Sequence, residues 1–558
     1  MRSLSLLILL AVASGCPKPK CDSTTCTSGC CDVSGACQTG NTSAACGTAG
    51  AQCTNCVAGT CGALRVCDTT GTGGGTGMGG GTGGGTGGGG GTRTVTFSRT
   101  TTWVDEQGMR TGPSLRDAGI SLFVVDAGAL VELPGTRTSA AYVVAGVPAG
   151  EYVIRYGTFF YVGRTDTLDI GSMDLGRPDQ QYIDAGAATF TLATGGLPAW
   201  NDLDSVLLFS QGANLYAWNG TGALTSGPTA GMVPTSFTWD YGSLDGQSNA
   251  PRLEAAKGDT LWAIYLQNQA LITTPVPGAA DDGGVLDVPF ECGVAMAAAH
   301  TGPLSIDPGP NAASATFAGT PTQSLGLTFP RTQWEARVTE GHPGATLYYE
   351  ELYVTAEPAL QTASADLLSC FNYPLLGGNP ISDINRSLTV VNPFPASWAV
   401  KGTGSTWYRV SKSVADAGTW SATGFVTANV DVNQPISPQV HAPVQVRVQS
   451  IPADQLVTVA AAAPLTVSWS PSPNPPAPTD YLVSVLRITR DANGTSRNQV
   501  TGVATRGTSF SFPAGTLVIG GIYQLRVRSY VRSSPEARPY SERTTSSADA
   551  ITNPFLVQ

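Results

Sequence analysis

Residues 71–92 are glycine interrupted only by threonine and by Met78. Glycine loses more backbone freedom on folding than any other residue and brings no side chain to bury. The tract is therefore expected to behave as a flexible coil, roughly 25 Å end to end. A collagen-like helix is excluded, because the glycines keep no three-residue period and proline is absent. The tract divides the chain into a short N-terminal part and a long C-terminal part, and each must find its own means of folding.

Those means differ. Of the 13 cysteines, all but Cys292 and Cys370 lie between Cys16 and Cys67. Setting Cys16 aside leaves an even set: Cys21, Cys26, Cys30, Cys31, Cys37, Cys46, Cys53, Cys56, Cys61 and Cys67. The aliphatic side chains of this segment are little more than Val33, Val57, Leu64 and Val66. Residues 16–70 thus read as a disulfide framework, each bridge contributing about 2–4 kcal/mol in place of burial. Cys53 and Cys56 have zinc-ligand spacing, but the segment has no histidine and an exported chain meets an oxidising environment. Spacing leaves the pairing open, and Cys292 and Cys370 are either a further bridge or two buried thiols.

Export is expected from residues 1–15, which have the three-part plan of a signal peptide. Arg2 supplies a basic start, residues 4–12 are apolar but for Ser5, and Ala13, Ser14 and Gly15 are small. The apolar run is too short to span a bilayer. Residues 12–16 resemble the lipobox of bacterial lipoproteins, with Ala13 where leucine is usual. That resemblance implies lipidation of Cys16 and a membrane as the first partner, anchored at about 0.8 kcal/mol per buried methylene. The expected location is the cell envelope, at the outer membrane or cell surface. The alternative is ordinary secretion, with Cys16 left as a thiol.

Only 13% of the 558 residues are charged, while Gly and Pro number 68 and 38. That balance suits a mainly β chain of several sandwiches, whose strands need alternation and turns rather than charged helix faces. A net charge of −10, with no basic cluster beyond Lys18 and Lys20, argues against nucleic acid as a partner.

After the tract, residues 93–186 carry strand-like runs at 94–98 and 119–125, then an apolar stretch at 140–156 interrupted by Val147, Pro148, Ala149 and Gly150. Pro148 sets φ at the bend, Gly150 permits positive φ, and Tyr152, Ile154 and Tyr156 alternate onto one face. This stretch resembles the carboxypeptidase regulatory-like (transthyretin-like) β-sandwich, which implies a hairpin across the bend and a structural or spacing role. The Lys–Asn cross-link of some such sandwiches is excluded, since 93–185 contains no lysine. Asp-Ala-Gly recurs at 117, 126, 184 and 416. Each copy supplies one carboxylate, so hairpin turns are expected rather than calcium loops.

Runs at 205–209, 259–266, 347–354 and 387–391 continue the pattern through 187–440, as one large sandwich or two with a break near 320. In 441–558, Trp469, Tyr481, Leu517, Tyr523, Leu525 and Val527 follow one another in the order of a fibronectin type III domain, which this region resembles. Alternation puts Arg526, Arg528 and Tyr530 on the solvated side of the last of these strands.

No enzyme, cofactor or metal site is expected. The histidines are His300, His342 and His441, too far apart for paired zinc ligands. The residues 246–249 resemble the Gly-Gln-Ser-Asn block of SGNH-type acetylesterases, but that family's Asp-x-x-His partner is missing. Ala297, Thr339 and Pro438 stand three residues before the histidines, so Ser248 lacks a base. The acid pairs Asp202/Asp204 and Asp281/Asp282 keep a carboxylate hydrolase as a minor alternative. The favoured expectation is a displayed, non-enzymatic protein for adhesion, binding or envelope assembly, with a surface protein or polysaccharide as partner. A carbohydrate-binding role is the main alternative, with Trp200, Trp218, Trp239, Trp262 and Trp334 as candidate platforms, although a Trp in a sandwich is more often a core residue.

Overall fold

A computed structural model describes residues 26, 30–32, 36–39, 41–42, 45–46, 53, 60–61, 67–68, 91–115, 119–126, 129–217, 224–226, 228–277, 285–358, 365–372, 382–414, 418–455, 457–491, 494–532, 538–540 and 544–558. They belong to two units, Met1–Gly88 and Gly89–Gln558. The signal-like segment, Cys16, Cys21, Cys56 and residues 71–90 of the glycine tract lie outside the described residues.

In the first unit the backbone pairs in two-residue ladders: Cys30–Cys31 with Cys37–Gln38, Asn41–Thr42 with Ala45–Cys46, and Thr60–Cys61 with Cys67–Asp68. Ladders this short supply too few hydrogen bonds to order a chain. The bridges Cys26–Cys37 and Cys30–Cys53 interleave in sequence, spanning 11 and 23 residues, and Cys31 is disulfide-bonded as well. Closing loops of this size constrains the unfolded chain by about 3 kcal/mol each. The Asp32 carboxylate ties the intervening turn, accepting from the Ala36 N–H at 2.9 Å and from Gln38 Nε2 at 2.6 Å.

The second unit is a series of β-sandwiches. Its first part contains β1 (Thr92–Ser98), β2 (Ile120–Asp126), β3 (Ala141–Pro148), β4 (Tyr152–Tyr156) and β5 (Phe159–Gly163). Strands β3 and β1 share one sheet, and β2, β4 and β5 share another. Val95, Phe97, Leu122, Tyr142, Val144, Tyr152 and Ile154 fill the space between. The hairpin expected at 147–150 does not form. β3 and β4 lie in opposite sheets, and the bend, with Gly150 at φ +114° and Gly146 at +75°, carries the chain across the core. Tyr142 and Val144 of β3 and Tyr152 and Ile154 of β4 thereby meet across a single core from its two sheets.

Next come β6 (Ala188–Gly195), β7 (Ser205–Ser210), β8 (Ser236–Asp240), β9 (Trp262–Pro277), β10 (Val285–His300) and β11 (Gly309–Thr316). The β8–β6–β11 sheet packs on β7–β9–β10 around Phe190, Leu208, Phe237, Trp239 and Tyr265. Every residue of β7 is buried, because the reverse face (Leu207, Phe209, Ile264, Leu266, Val294) enters a further core. A strand covered on both sides has no need of alternation, which is why β7 shows none.

That further core is closed by β12 (Thr322–Phe329), α1 (Arg331–Gly341), β13 (Thr346–Glu357), β14 (Ala365–Asn372), β15 (Ile384–Val391), β16 (Ala399–Val414) and β17 (Gly418–Asp431). The sheet runs on from β10 through β14, β13 and β16 to β17, with the Cys292–Cys370 disulfide bridging the seam. The β12–β15 pair and α1 cover one face, with Trp334 fully buried and its Nε1–H donating to the Ile436 carbonyl at 3.1 Å.

The last part holds β18 (Val444–Val448), β19 (Leu465–Ser470), β20 (Asp480–Asp491), β21 (Gly494–Thr505), β22 (Ser509–Phe512), β23 (Ile522–Arg532) and β24 (Thr544–Ile551). The β18–β19–β22 sheet packs on β21–β20–β23–β24. Trp469, Tyr481, Leu517, Tyr523, Leu525 and Val527 all enter the core between, and the Tyr523 hydroxyl accepts the Val518 N–H at 2.9 Å, latching the turn before its own strand. β24 also pairs with β17, and β21 runs parallel to β5, so one sheet threads all four parts. The first and second parts meet around buried Arg177, whose guanidinium bonds Asp259 at 2.5 Å and Glu254 at 2.6 Å.

Of the Asp-Ala-Gly copies, those at 126 and 416 close hairpins, pairing Asp126 with Ala129 and Val414 with Gly418. At 184 the Ala187 N–H closes a turn onto the Asp184 carbonyl, but the flanking strands belong to different sheets, so it is no hairpin. Residues 117 and 118 lie outside the described residues.

Candidate functional site

The sheet through β14, β13, β16, β17 and β23 has a second face, opposite the core. Alternation on long strands places Tyr349, Glu351 and Tyr353 of β13 there, with Phe371 of β14, Trp407 of β16 and Phe425 of β17. Register makes them neighbours: Glu351 pairs with Phe371, Tyr349 with Trp407, and Trp407 with Phe425. Ring centroids follow at 5.6 Å (Tyr353–Phe371), 6.2 Å (Tyr349–Phe371), 6.4 Å (Tyr349–Trp407) and 5.3 Å (Trp407–Phe425). All five rings are half-buried.

The row continues onto β23, because the β17–β24 pairing brings that strand alongside. The Arg528 guanidinium lies 3.6 Å from the centre of Phe425, and Arg526 lies 5.9 Å from it. Arg528 also pairs with fully buried Asp549 at 2.6 Å, while Tyr530 is buried and covered by Arg532 at 3.9 Å. The expectation that Arg526, Arg528 and Tyr530 form a solvated side is therefore overturned. Sheet continuation places a neighbouring strand's aromatic ring and a carboxylate against them.

The electrostatics are uneven. Burial works against the charge of Arg528, but Asp549 overcomes it and holds the guanidinium's pKa above its ordinary value. Arg526 is pulled below its ordinary value, chiefly by burial and further by Arg528. Among the described residues Arg526 makes no ion pair. Burial raises the Glu351 carboxyl, and the hydroxyls of Tyr349, Tyr353 and Ser405 partly offset this. The arrangement offers stacking surfaces, one carboxylate and a cation without a carboxylate partner. It offers no nucleophile–base pair.

The residues singled out by sequence are elsewhere. Trp200, Trp239 and Trp334 are core residues. Trp262 stacks on His300 at 4.0 Å, and Trp218 lies outside the described residues. Asp204 is buried, its carboxylate accepting from the Tyr265 hydroxyl (2.6 Å) and from the backbone N–H groups of Asn201 (2.8 Å) and Asn268 (2.9 Å). Asp202 is exposed, and Asp281 and Asp282 lie outside the described residues. Ser248 is exposed before a short strand, while His342 bonds the β24 backbone and His441 the carboxylate of Glu340. The signal that could have found the site is the aromatic spacing Tyr349, Tyr353 with Trp407 and Phe425, but only once the strands were paired.

No protein-family model matches this chain, and no curated protein matches it. Among solved structures it is similar to the crystal structure of chicken CNTN1 FN1-FN3 domains, at 9% identity over 68% of this chain and 99% of that one, with a TM-score of 0.13. A score that low does not indicate a common arrangement.

Proposed function

We propose that this chain is a non-enzymatic, lipid-anchored protein of the cell envelope, displayed on the glycine tract, that binds polysaccharide through the aromatic–arginine face. The observation that carries the reading is the unbroken row of half-buried rings from Phe371 to Phe425, ending in Arg526 and Arg528. Flat rings at successive cross-strand positions offer stacking surfaces to sugar faces, and each such contact is worth about 1 kcal/mol beyond area burial. The charge of Arg526, in a chain of net charge −10, favours a polymer with carboxylate groups.

Two measurements test it. Mass spectrometry of the mature N-terminus from membrane and supernatant fractions should find acylated Cys16 in membranes; an unmodified N-terminus in the supernatant overturns the anchor. Pull-down on polygalacturonate and on cellulose should retain the protein on the first at low salt and lose it in the Trp407→Ala variant. Binding to neither polymer refutes the polysaccharide reading and returns a surface protein as the partner.

A further inference from the structure

A second concavity lies on the opposite side of β16 from the aromatic row. It is a cleft of about 530 Å³ where the end of α1, β16, β18 and the end of β24 converge. Such a volume is ordinary for a small-molecule site, and junctions between sandwiches are where such sites form.

Its polar groups are few. His342, just past α1, is 7% exposed, and its Nε2 accepts the Ile551 N–H at 3.2 Å. The same Nε2 lies 3.3 Å from the Asp549 carbonyl oxygen, so both backbone contacts of the ring fall on this one nitrogen. Among the described residues its Nδ1 has no hydrogen-bond partner. Lys412 reaches the cleft half-buried and makes no ion pair among the described residues. Of the other charges on the wall, that of Asp454 acts on the Lys412 ammonium without forming an ion pair. Arg447 donates to the Ser450 carbonyl at 2.9 Å, and Asp454 is exposed at the rim. Val410, Val446 and Ile551 supply apolar wall. Beside them Gln445 sits at φ +52°, where β18 slips register against β19 between Val444 and Arg447. A non-glycine residue in that conformation costs about 1–3 kcal/mol and persists where the surroundings impose it.

We propose that this cleft binds a small organic carboxylate, its apolar body against Val410, Val446 and Ile551 and its carboxylate between the Lys412 ammonium and the His342 Nδ1. A half-buried ammonium that makes no ion pair and an imidazole Nδ1 with no hydrogen-bond partner among the described residues are two groups that one carboxylate can engage at once. The site is separate from the aromatic–arginine face and does not rest on the polysaccharide reading.

The test is calorimetric titration of the full mature chain with hexanoate and with hexanamide, which share a body and differ in charge. Hexanoate should bind with one-to-one stoichiometry at millimolar concentration, roughly tenfold tighter than hexanamide. Lys412→Met, which keeps the stem, should remove that preference. Val446→Trp, which fills the cleft, should abolish binding of both. An unchanged near-ultraviolet circular dichroism spectrum and an unchanged urea midpoint confirm that each variant is folded. Equal affinity for acid and amide, hexanoate binding undiminished in either variant, or no hexanoate binding by the folded wild type overturns the assignment.

Discussion

On β16 and β17 alternate residues face opposite ways. Tyr408, Ala422, Val426 and Ala428 enter a closed core, whereas Trp407 and Phe425 remain half-buried beside charged groups. The strands, register and backbone hydrogen bonds are common to both faces. What differs is what each face is asked to exclude. The core face admits small aliphatic groups and interlocking rings, so its glycines are spent on close approach: a Cβ on Gly404 would sit 2.5 Å from Trp334. The other face keeps its rings at stacking distance without covering them, and carries guanidinium groups that a closed core would not tolerate unpaired.

The largest effect should come from breaking the closed face. Trp334→Ala removes a fully buried indole and should cost about 3–5 kcal/mol in urea denaturation, with polysaccharide affinity of the folded fraction unchanged. Lost affinity at unchanged stability would erase the distinction between the faces.

Arg528 stands where the two rules meet, touching Phe425 on one side and buried Asp549 on the other. Arg528→Met strands the Asp549 carboxylate and should cost about 3 kcal/mol, part of which a second change, Asp549→Asn, restores. If the single and double variants are equally unstable by chemical denaturation, the pair is not the link between the faces.

Acid separates the faces by sign. His342 packs against Tyr408 on the closed side, and burial first, then the Lys412 charge, lower its pKa from 6.5 to about 4. The unfolded chain then binds the extra proton first. The stability His342 contributes is complete above pH 6.5 and declines as pH falls to about 4, by up to about 3 kcal/mol. Glu351, on the open side, has a raised pKa, so its folded form holds a proton longer and its contribution improves as pH falls. Denaturation curves from neutral to acid pH should therefore flatten in His342→Gln and steepen in Glu351→Gln. Identical slopes in both variants would contradict the assignment.

Much of the fold was legible from local pattern. Trp469, Tyr481 and Tyr523 could be placed in order because each stands on an alternating run with turn residues between, and Leu517 because it is the apolar residue of the turn before the last of them. The bend at 147–150 misled, since its turn chemistry is the same whether the next strand pairs alongside or crosses the core. The face was illegible for a related reason. Trp407 and Phe425 meet within one hairpin, but Tyr349, Phe371 and Arg528 join them only through the pairing of β13 with β16 and of β17 with β24, and no spacing in the chain encodes those pairings. The prominent tryptophans were a distraction of chemistry: Trp239 shares the inward face of its strand with Phe237, and Trp334 the inward face of α1 with Val338, so both are drawn into the core.

The smallest effect on stability, and the sharpest on function, is expected from Phe425→Ala and Trp407→Ala. Both rings are already half in solvent, so truncation should cost about 1 kcal/mol of stability each. Retention on polygalacturonate, by contrast, should fall roughly tenfold for Trp407→Ala and more for Phe425→Ala, because Phe425 also orients Arg526 and Arg528 beneath the polymer. Comparing Phe425→Ala with Phe425→Leu isolates the ring, since leucine keeps apolar volume but offers no π-face to a guanidinium or a sugar. If leucine restores retention, the open face works by bulk alone and differs from the core only in exposure. If it does not, the aromatic surface itself is what the alternation on β17 was built to present.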